Sequence, residues 1–163
     1  MDIPEALGVD VGGVIIDKVN DNTDTSFFSE NFLNTSASPE VFRVLTRLVR
    51  ERFGDRVFIV SKCGKRVEEK TLAWFAHHQF FELTGIKPEH VRFCRTRDGK
   101  APICAELGIT HFIDDRLEVL SYLTTVPHQF LFRGSVREIR GFEKHLAYTT
   151  QVSNWRQIET LLL

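Results

Sequence analysis

Cysteine is scarce in this chain: Cys63, Cys94 and Cys104 are the only three among 163 residues. An odd number with no C-x-x-C spacing argues against paired disulfides and against a zinc knuckle, and fits a reducing cytoplasm. An excess of charge of either sign is also missing. Lys and Arg total 21 against 22 Asp and Glu, so there is no electrostatic footprint for a nucleic acid polymer or an anionic membrane. No apolar run approaches the ~20 residues of a membrane span. The opening MDIPEALGVD lacks the basic and then long apolar pattern of a signal peptide. Internal repeats and low-complexity tracts are absent. Together these absences lead us to expect a soluble cytoplasmic protein. Its length suits one domain, 1–163, able to bury roughly two thirds of its unfolded surface.

What is present is organised around LGVDVGGVIID, Leu7 to Asp17. β-Branched residues this dense read as a buried strand rather than a helix. The apolar run delivers one carboxylate, Asp10, which has no packing purpose at the end of a buried strand. Gly12 and Gly13 let the backbone turn sharply and let a ligand approach the main chain. Taken alone, the stretch is equally compatible with a solvated Asp opening an ordinary Gly-Gly turn.

Further along, Asp17 to Ser38 is rich in Asn, Asp, Ser and Thr and is interrupted by Phe27, Phe28, Phe32 and Leu33. A structureless loop this long is unusual in a compact domain, which suggests a small cap or flap, or a loop that its aromatics pin to the core. Ser38-Pro39-Glu40 predicts a helix start capped by Ser38, with an apolar stripe to Phe53 and a stop at Gly54. Strands follow at Arg56–Ser61, His90–Cys94, Thr110–Ile113 and Pro127–Phe132. Helices are expected over Lys65 to about Leu83, Ala101–Leu107 and Leu117–Leu123, with a last one capped by Ser153. Residues 133–146 read as turns about a short helix. His77 and His78 are adjacent, so they point to different sides of a helix and make a poor metal pair. Strands alternating with helices imply an α/β, Rossmann-like three-layer sandwich with a mostly parallel sheet. Right-handed crossovers then put every strand's C-terminal end on one edge, where open α/β sheets bind their ligands.

Four polar features fall on that edge. Asp10 follows the first strand, Ser61 ends the second, Asp114-Asp115 follow the fourth, and Lys100 opens the helix before it. A nucleophilic carboxylate, a hydroxyl donor, a cation and a pair of metal-binding acids are the parts that phosphoryl transfer needs. Mg²⁺ takes oxygen ligands, usually one or two carboxylates, waters and the substrate phosphate.

This order and spacing resemble the haloacid dehalogenase-like (HAD) superfamily over nearly the whole chain, and the segments RDGK and IDDRLE resemble its deoxyribonucleotidase-like branch. The resemblance implies that Asp10 is the nucleophile of an aspartyl-phosphate. It implies that Ser61, with Lys62, Gly12 and Gly13, binds the phosphoryl group, and that Lys100 pairs Asp10 with the phosphate. It further implies that Mg²⁺ is held by Asp10, the Gly12 carbonyl and Asp115, with Asp114 as partner. The substrate would be a small phosphomonoester, a nucleotide among the candidates. One departure matters: the family's phosphatases carry a second Asp where this chain has Gly12. That acid protonates the leaving alkoxide and later activates water, work typically worth ~10²–10⁴-fold in rate.

Two readings from different classes follow. One is a magnesium-dependent phosphohydrolase, and the feature that would discriminate it is another acid reaching the leaving group, with Asp17, Asp24 and Glu30 the candidates. The other is an impaired fold that binds phosphate or Mg²⁺ as a regulatory or interaction module. A sugar-kinase phosphate hairpin, which DVGG resembles, would need two large domains and a second hairpin. A receiver domain would carry its acidic pair first. Cys63, two residues past Ser61, lies beside Lys62 and Lys65, which would depress its pKa. A structural role is nevertheless expected for all three cysteines.

Overall fold

The computed structural model of the protein describes residues 3–18, 27 and 29–163. Six strands form one sheet: β1 (Leu7–Val9), β2 (Val57–Lys62), β3 (Val91–Cys94), β4 (His111–Asp114), β5 (His128–Phe132) and β6 (Thr149–Val152). Their order is β3-β2-β1-β4-β5-β6, and every pairing is parallel. The helices between them are α1 (Val41–Leu48), α2 (Lys65–His77), α3 (Phe80–Thr84), α4 (Lys100–Leu107), α5 (Leu117–Tyr122), α6 (Val136–Ile139) and α7 (Trp155–Leu162). This is the expected α/β Rossmann-like sandwich. Among the described residues no helix is long and apolar enough to cross a membrane.

Strand periodicity divides the core in two. Leu7, Val9, Val57, Ile59 and Ile113 face α1, α2, α3 and α7, where Leu45, Leu48, Trp74, Phe80, Trp155 and Ile158 are buried. Phe58, Val60, Phe112 and Leu131 face the opposite layer, against Cys104 of α4 and Leu117 and Leu120 of α5. A sheet covered on both faces needs apolar residues on both, which is why its central strands read as continuous apolar runs.

The chain leaves β1 in one direction, through β2 and β3, and returns on β1's other side through β4, β5 and β6. β1 and β4 therefore flank the point where the winding reverses, and the crevice beyond their C-terminal ends is where this architecture takes ligands. Val9 pairs with both Ile59 and Ile113. Continuing that register by one residue sets Asp10 beside Asp114, and the Asp10 amide donates to the Ile113 carbonyl at 3.0 Å.

The elements depart from the sequence expectations in five places. The run Val14–Ile16 does not extend β1. Its residues are buried, and the amides of Val14, Ile15 and Ile16 fold back onto the Val11 carbonyl. Ser38 does not cap α1, because its hydroxyl is buried with no hydrogen-bond partner and its carbonyl accepts from the Val41 amide instead. The helix expected over 65–83 breaks at His78 and Gln79, where Gln79 takes a left-handed φ of 55°. A sixth strand, TTQV of β6, pairs with β5 at the sheet edge. The last helix is capped by Asn154, whose side chain accepts from the Gln157 amide, with Ser153 one residue outside.

The described part of the 17–38 segment is pinned to the core rather than structureless. Ile16 bridges to Ala37, the Asp17 amide donates to the Ser36 carbonyl at 2.8 Å, and Phe32–Asn34 form a 3₁₀ turn. Buried Trp74 donates its indole N–H to the Thr35 carbonyl at 2.9 Å, and His78 Nε2 donates to the Leu33 carbonyl at 2.7 Å. His78 is thus engaged in holding this loop. Phe28 and Asp24 lie outside the described residues.

Candidate functional site

Asp10 leaves β1 as a backbone that turns at once. Gly13 follows with φ of +80°, and a Cβ there would sit 2.5 Å from Asp115 Oδ2. A side chain at Gly13 would therefore displace the Asp115 carboxylate, so this glycine makes room for an acid rather than for a ligand. Gly12 is different. It is exposed, its φ is not positive, and a Cβ added to it meets no atom within 4 Å.

Lys100 ties the site together. It opens α4, is only 2% exposed, and its Nζ donates to Asp10 Oδ1 and to Asp114 Oδ2, each at 2.8 Å. Its ammonium also stands 5.6 Å over the Phe112 ring. Burial disfavours the charged lysine, but Asp10 and Asp114 outweigh it and hold the Lys100 pKa above its ordinary value. Asp114 is completely buried; its other oxygen, Oδ1, accepts from the Arg116 amide at 2.9 Å. Both Asp114 oxygens are thus engaged in orienting Lys100 and the start of α5. Asp115 Oδ2 accepts from Lys18 Nζ at 3.0 Å.

Ligand atoms of Asp10, Asp114 and Asp115 lie within 4.8 Å of one another. Burial, followed by the negative charge of Asp10, raises the pKa of Asp114 above the ordinary carboxylate value. Burial and then the charges of Asp10 and Asp114 do the same for Asp115. Lys100 bridges Asp10 and Asp114, and Lys18 meets Asp115, so each of the three carboxylates has a lysine at one oxygen. Of the three, Asp10 and Asp115 each keep one oxygen outside these hydrogen bonds and are the ones that could ligate a hard cation; Asp114 has both oxygens engaged.

A cavity of about 110 Å³ opens between these groups, with Asp10, Gly12, Ser61, Lys62, Lys100 and Asp115 in its wall. Six positions singled out in the sequence, drawn from β1, β2, α4 and the end of β4, therefore share one space. Asp114 and Gly13 do not line it. Arg97, Arg116 and Val119 complete the wall. These three, and Lys18, escaped the sequence reading, although Arg97 stands three residues before Lys100 and Arg116 directly after the acidic pair. Arg97 pairs with Glu118, and Arg116 with Glu138 at 2.7 Å.

Among the described residues, no carboxylate besides Asp10 and Asp115 lines the cavity. Asp17 Oδ1 accepts from Arg133 Nη1 at 3.2 Å, and Glu30 is exposed in the loop. Burial raises the pKa of the Cys63 thiol. This reverses the expectation from Lys62 and Lys65: desolvation favours the neutral thiol more than nearby cations favour the thiolate. All three cysteines are free, and burial pushes Cys104 up to about 12. Compared with models of known protein families and with curated proteins, the chain matches none.

Proposed function

We propose that the chain is a magnesium-dependent phosphohydrolase of HAD type, acting on a small phosphomonoester through a phosphoryl-Asp10 intermediate. The observation that carries this reading is the buried Lys100 bridge, which fixes Asp10 on a small polar cavity shared with Ser61 and Asp115. Asp10 Oδ1 is committed to Lys100, and Oδ2 makes no hydrogen bond among the described residues. Oδ2 is the oxygen that attacks phosphorus as the ester oxygen departs. Lys100 orients Asp10 and neutralises charge on the transferring group, and the Ser61 hydroxyl and Lys62 ammonium bind phosphoryl oxygens. Water then cleaves the acyl phosphate and regenerates Asp10. Bound Mg²⁺, held by Asp10, the Gly12 carbonyl and Asp115, would supply charge neutralisation on the phosphoryl oxygens. The free cysteines suit a reducing, cytoplasmic setting.

The cavity wall also favours a second reading. With Gly12 in place of an acid and no substitute carboxylate in the described wall, the protein would bind phosphate and Mg²⁺ but turn over slowly as a regulatory or interaction module. Turnover of p-nitrophenyl phosphate and of an alkyl phosphate, with and without Mg²⁺, separates the two readings. We expect Mg²⁺-dependent cleavage of the activated ester that Asp10→Asn abolishes, and slower cleavage of the alkyl ester, whose leaving group needs a proton. No Asp10-dependent turnover of either ester, with binding of a phosphate mimic retained, would establish the module instead.

A further inference from the structure

Beside the catalytic cavity lies a second, wider one of about 410 Å³, and Arg97 and Arg116 form part of both walls. Its remaining charged lining is Glu118, Glu138, Arg137 and Arg140. Glu118 is occupied by Arg97 and Glu138 by Arg116. Arg137 and Arg140, on α6 and its C-terminal end, make no ion pair among the described residues. Four guanidinium groups against two carboxylates give the lining of this cleft an excess of two positive charges, in a chain whose overall charge is −1; outside the lining, Glu143 feels the charge of Arg140. Glu118 and Glu138 offset Arg97 and Arg116, which leaves Arg137 and Arg140 as the guanidinium groups open to an incoming anion. Their planar fork of donors suits phosphate and carboxylate oxygens.

We infer that this cleft is a subsite for a second anionic group on the substrate, so that the preferred phosphomonoester carries a further phosphate or a carboxylate on its leaving group. The inference rests on the phosphohydrolase reading. Arg97 and Arg116 line both spaces, so a molecule whose phosphoryl group lies at Asp10 reaches the wider cleft by passing them. The rest of the molecule then enters the wider cleft, where Arg137 and Arg140 meet its second charge. Discrimination of this kind needs no acid at position 12, because it acts on binding.

Calorimetry with non-hydrolysable probes at fixed Mg²⁺ tests it: propane-1,3-diphosphonate and butane-1,4-diphosphonate against propylphosphonate, with 4-phosphonobutyrate to distinguish a second phosphate from a carboxylate. For the wild type we expect the best doubly anionic probe to bind at least tenfold tighter than propylphosphonate, with the gain shrinking as salt is raised. In Arg137→Gln/Arg140→Gln the ratio should fall toward one. Comparison within one probe removes any contribution from Mg²⁺ chelation in solution. A wild-type ratio near one, or a ratio unchanged in the double variant, overturns the subsite. Failure of the catalytic reading looks different: binding of the doubly anionic probe would then depend on Arg137 and Arg140 but be indifferent to Asp10→Asn and Ser61→Ala. If no probe binds the wild type, both proposals fall.

Discussion

Replacing Lys100 with Met removes the ammonium while keeping most of the side-chain volume. Two hydrogen bonds of 2.8 Å are lost, and the oxygens they leave belong to Asp10 and to the fully buried Asp114. Breaking a buried pair by removing one partner typically costs about 3–5 kcal/mol, because a charge stays behind without compensation. The cost depends on pH. Without Lys100, the pKa of Asp114, already raised by burial, rises further above its unfolded value. A carboxyl with a raised folded pKa loses stability as pH rises past its unfolded pKa, since the unfolded chain ionises first. The loss should therefore approach the full figure at pH 8 and shrink toward pH 5. Adding Asp114→Asn should recover about 1–2 kcal/mol of it, since one buried charge is gone and the amide oxygen still accepts from the Arg116 N–H. Urea unfolding in EDTA reads this out through Trp74 and Trp155, both fully buried. Unchanged m-values would confirm that the folded state stays compact. A loss under about 1 kcal/mol at pH 8, or one that does not vary with pH, would refute the view that Lys100 holds the carboxylates together.

Four further outcomes follow from the same geometry. Gly12→Asp should fold normally, since its Cβ meets nothing within 4 Å, and should raise alkyl phosphate turnover by a factor within the ~10²–10⁴ range of acid catalysis; unchanged kinetics would mean the new carboxyl does not reach the leaving group. Lys18→Ala should tighten Mg²⁺ binding severalfold in calorimetry, because this exposed lysine competes for Asp115 Oδ2, while Asp115→Asn should weaken it; equal affinities would remove the site. His111 is held neutral by burial, then by His128 and Arg52, with its pKa lowered to about 4. The unfolded chain therefore takes up its proton first as pH falls from about 6.5 to 4, which costs stability up to about 3 kcal/mol; His111→Asn should flatten that slope in urea titrations across this range. Cys63 should alkylate slowly near neutral pH, because burial raises its pKa, and Cys63→Ala should stay largely active.

The α/β architecture was legible because a sheet covered on both faces writes dense β-branched runs, and because polar residues directly after such runs can only lie at strand ends. Asp10, Ser61 and Asp115 were found in this way. Lys100 is ninety residues from Asp10 in the chain, so their contact could be expected only from the topology and the resemblance. What stayed hidden was local or polar. Gln79 carries no glycine-like signal for its left-handed turn, and β6 is a half-exposed edge strand with only Val152 buried. The arginine-lined cleft draws on the turn before α4, on α5 and on α6, and no short window of sequence contains it.

The open space at Gly12 also bears on how readily this chain could change its chemistry. Every glycine codon lies one base from an aspartate or a glutamate codon, and the fold raises no steric or backbone barrier to a side chain there. Gly13, its neighbour, is closed to the same step by the Asp115 carboxylate. A lineage carrying this sequence therefore stands one point mutation from placing an acid beside Asp10, and persistence of glycine under selection would indicate that rapid hydrolysis is not what the cell asks of it.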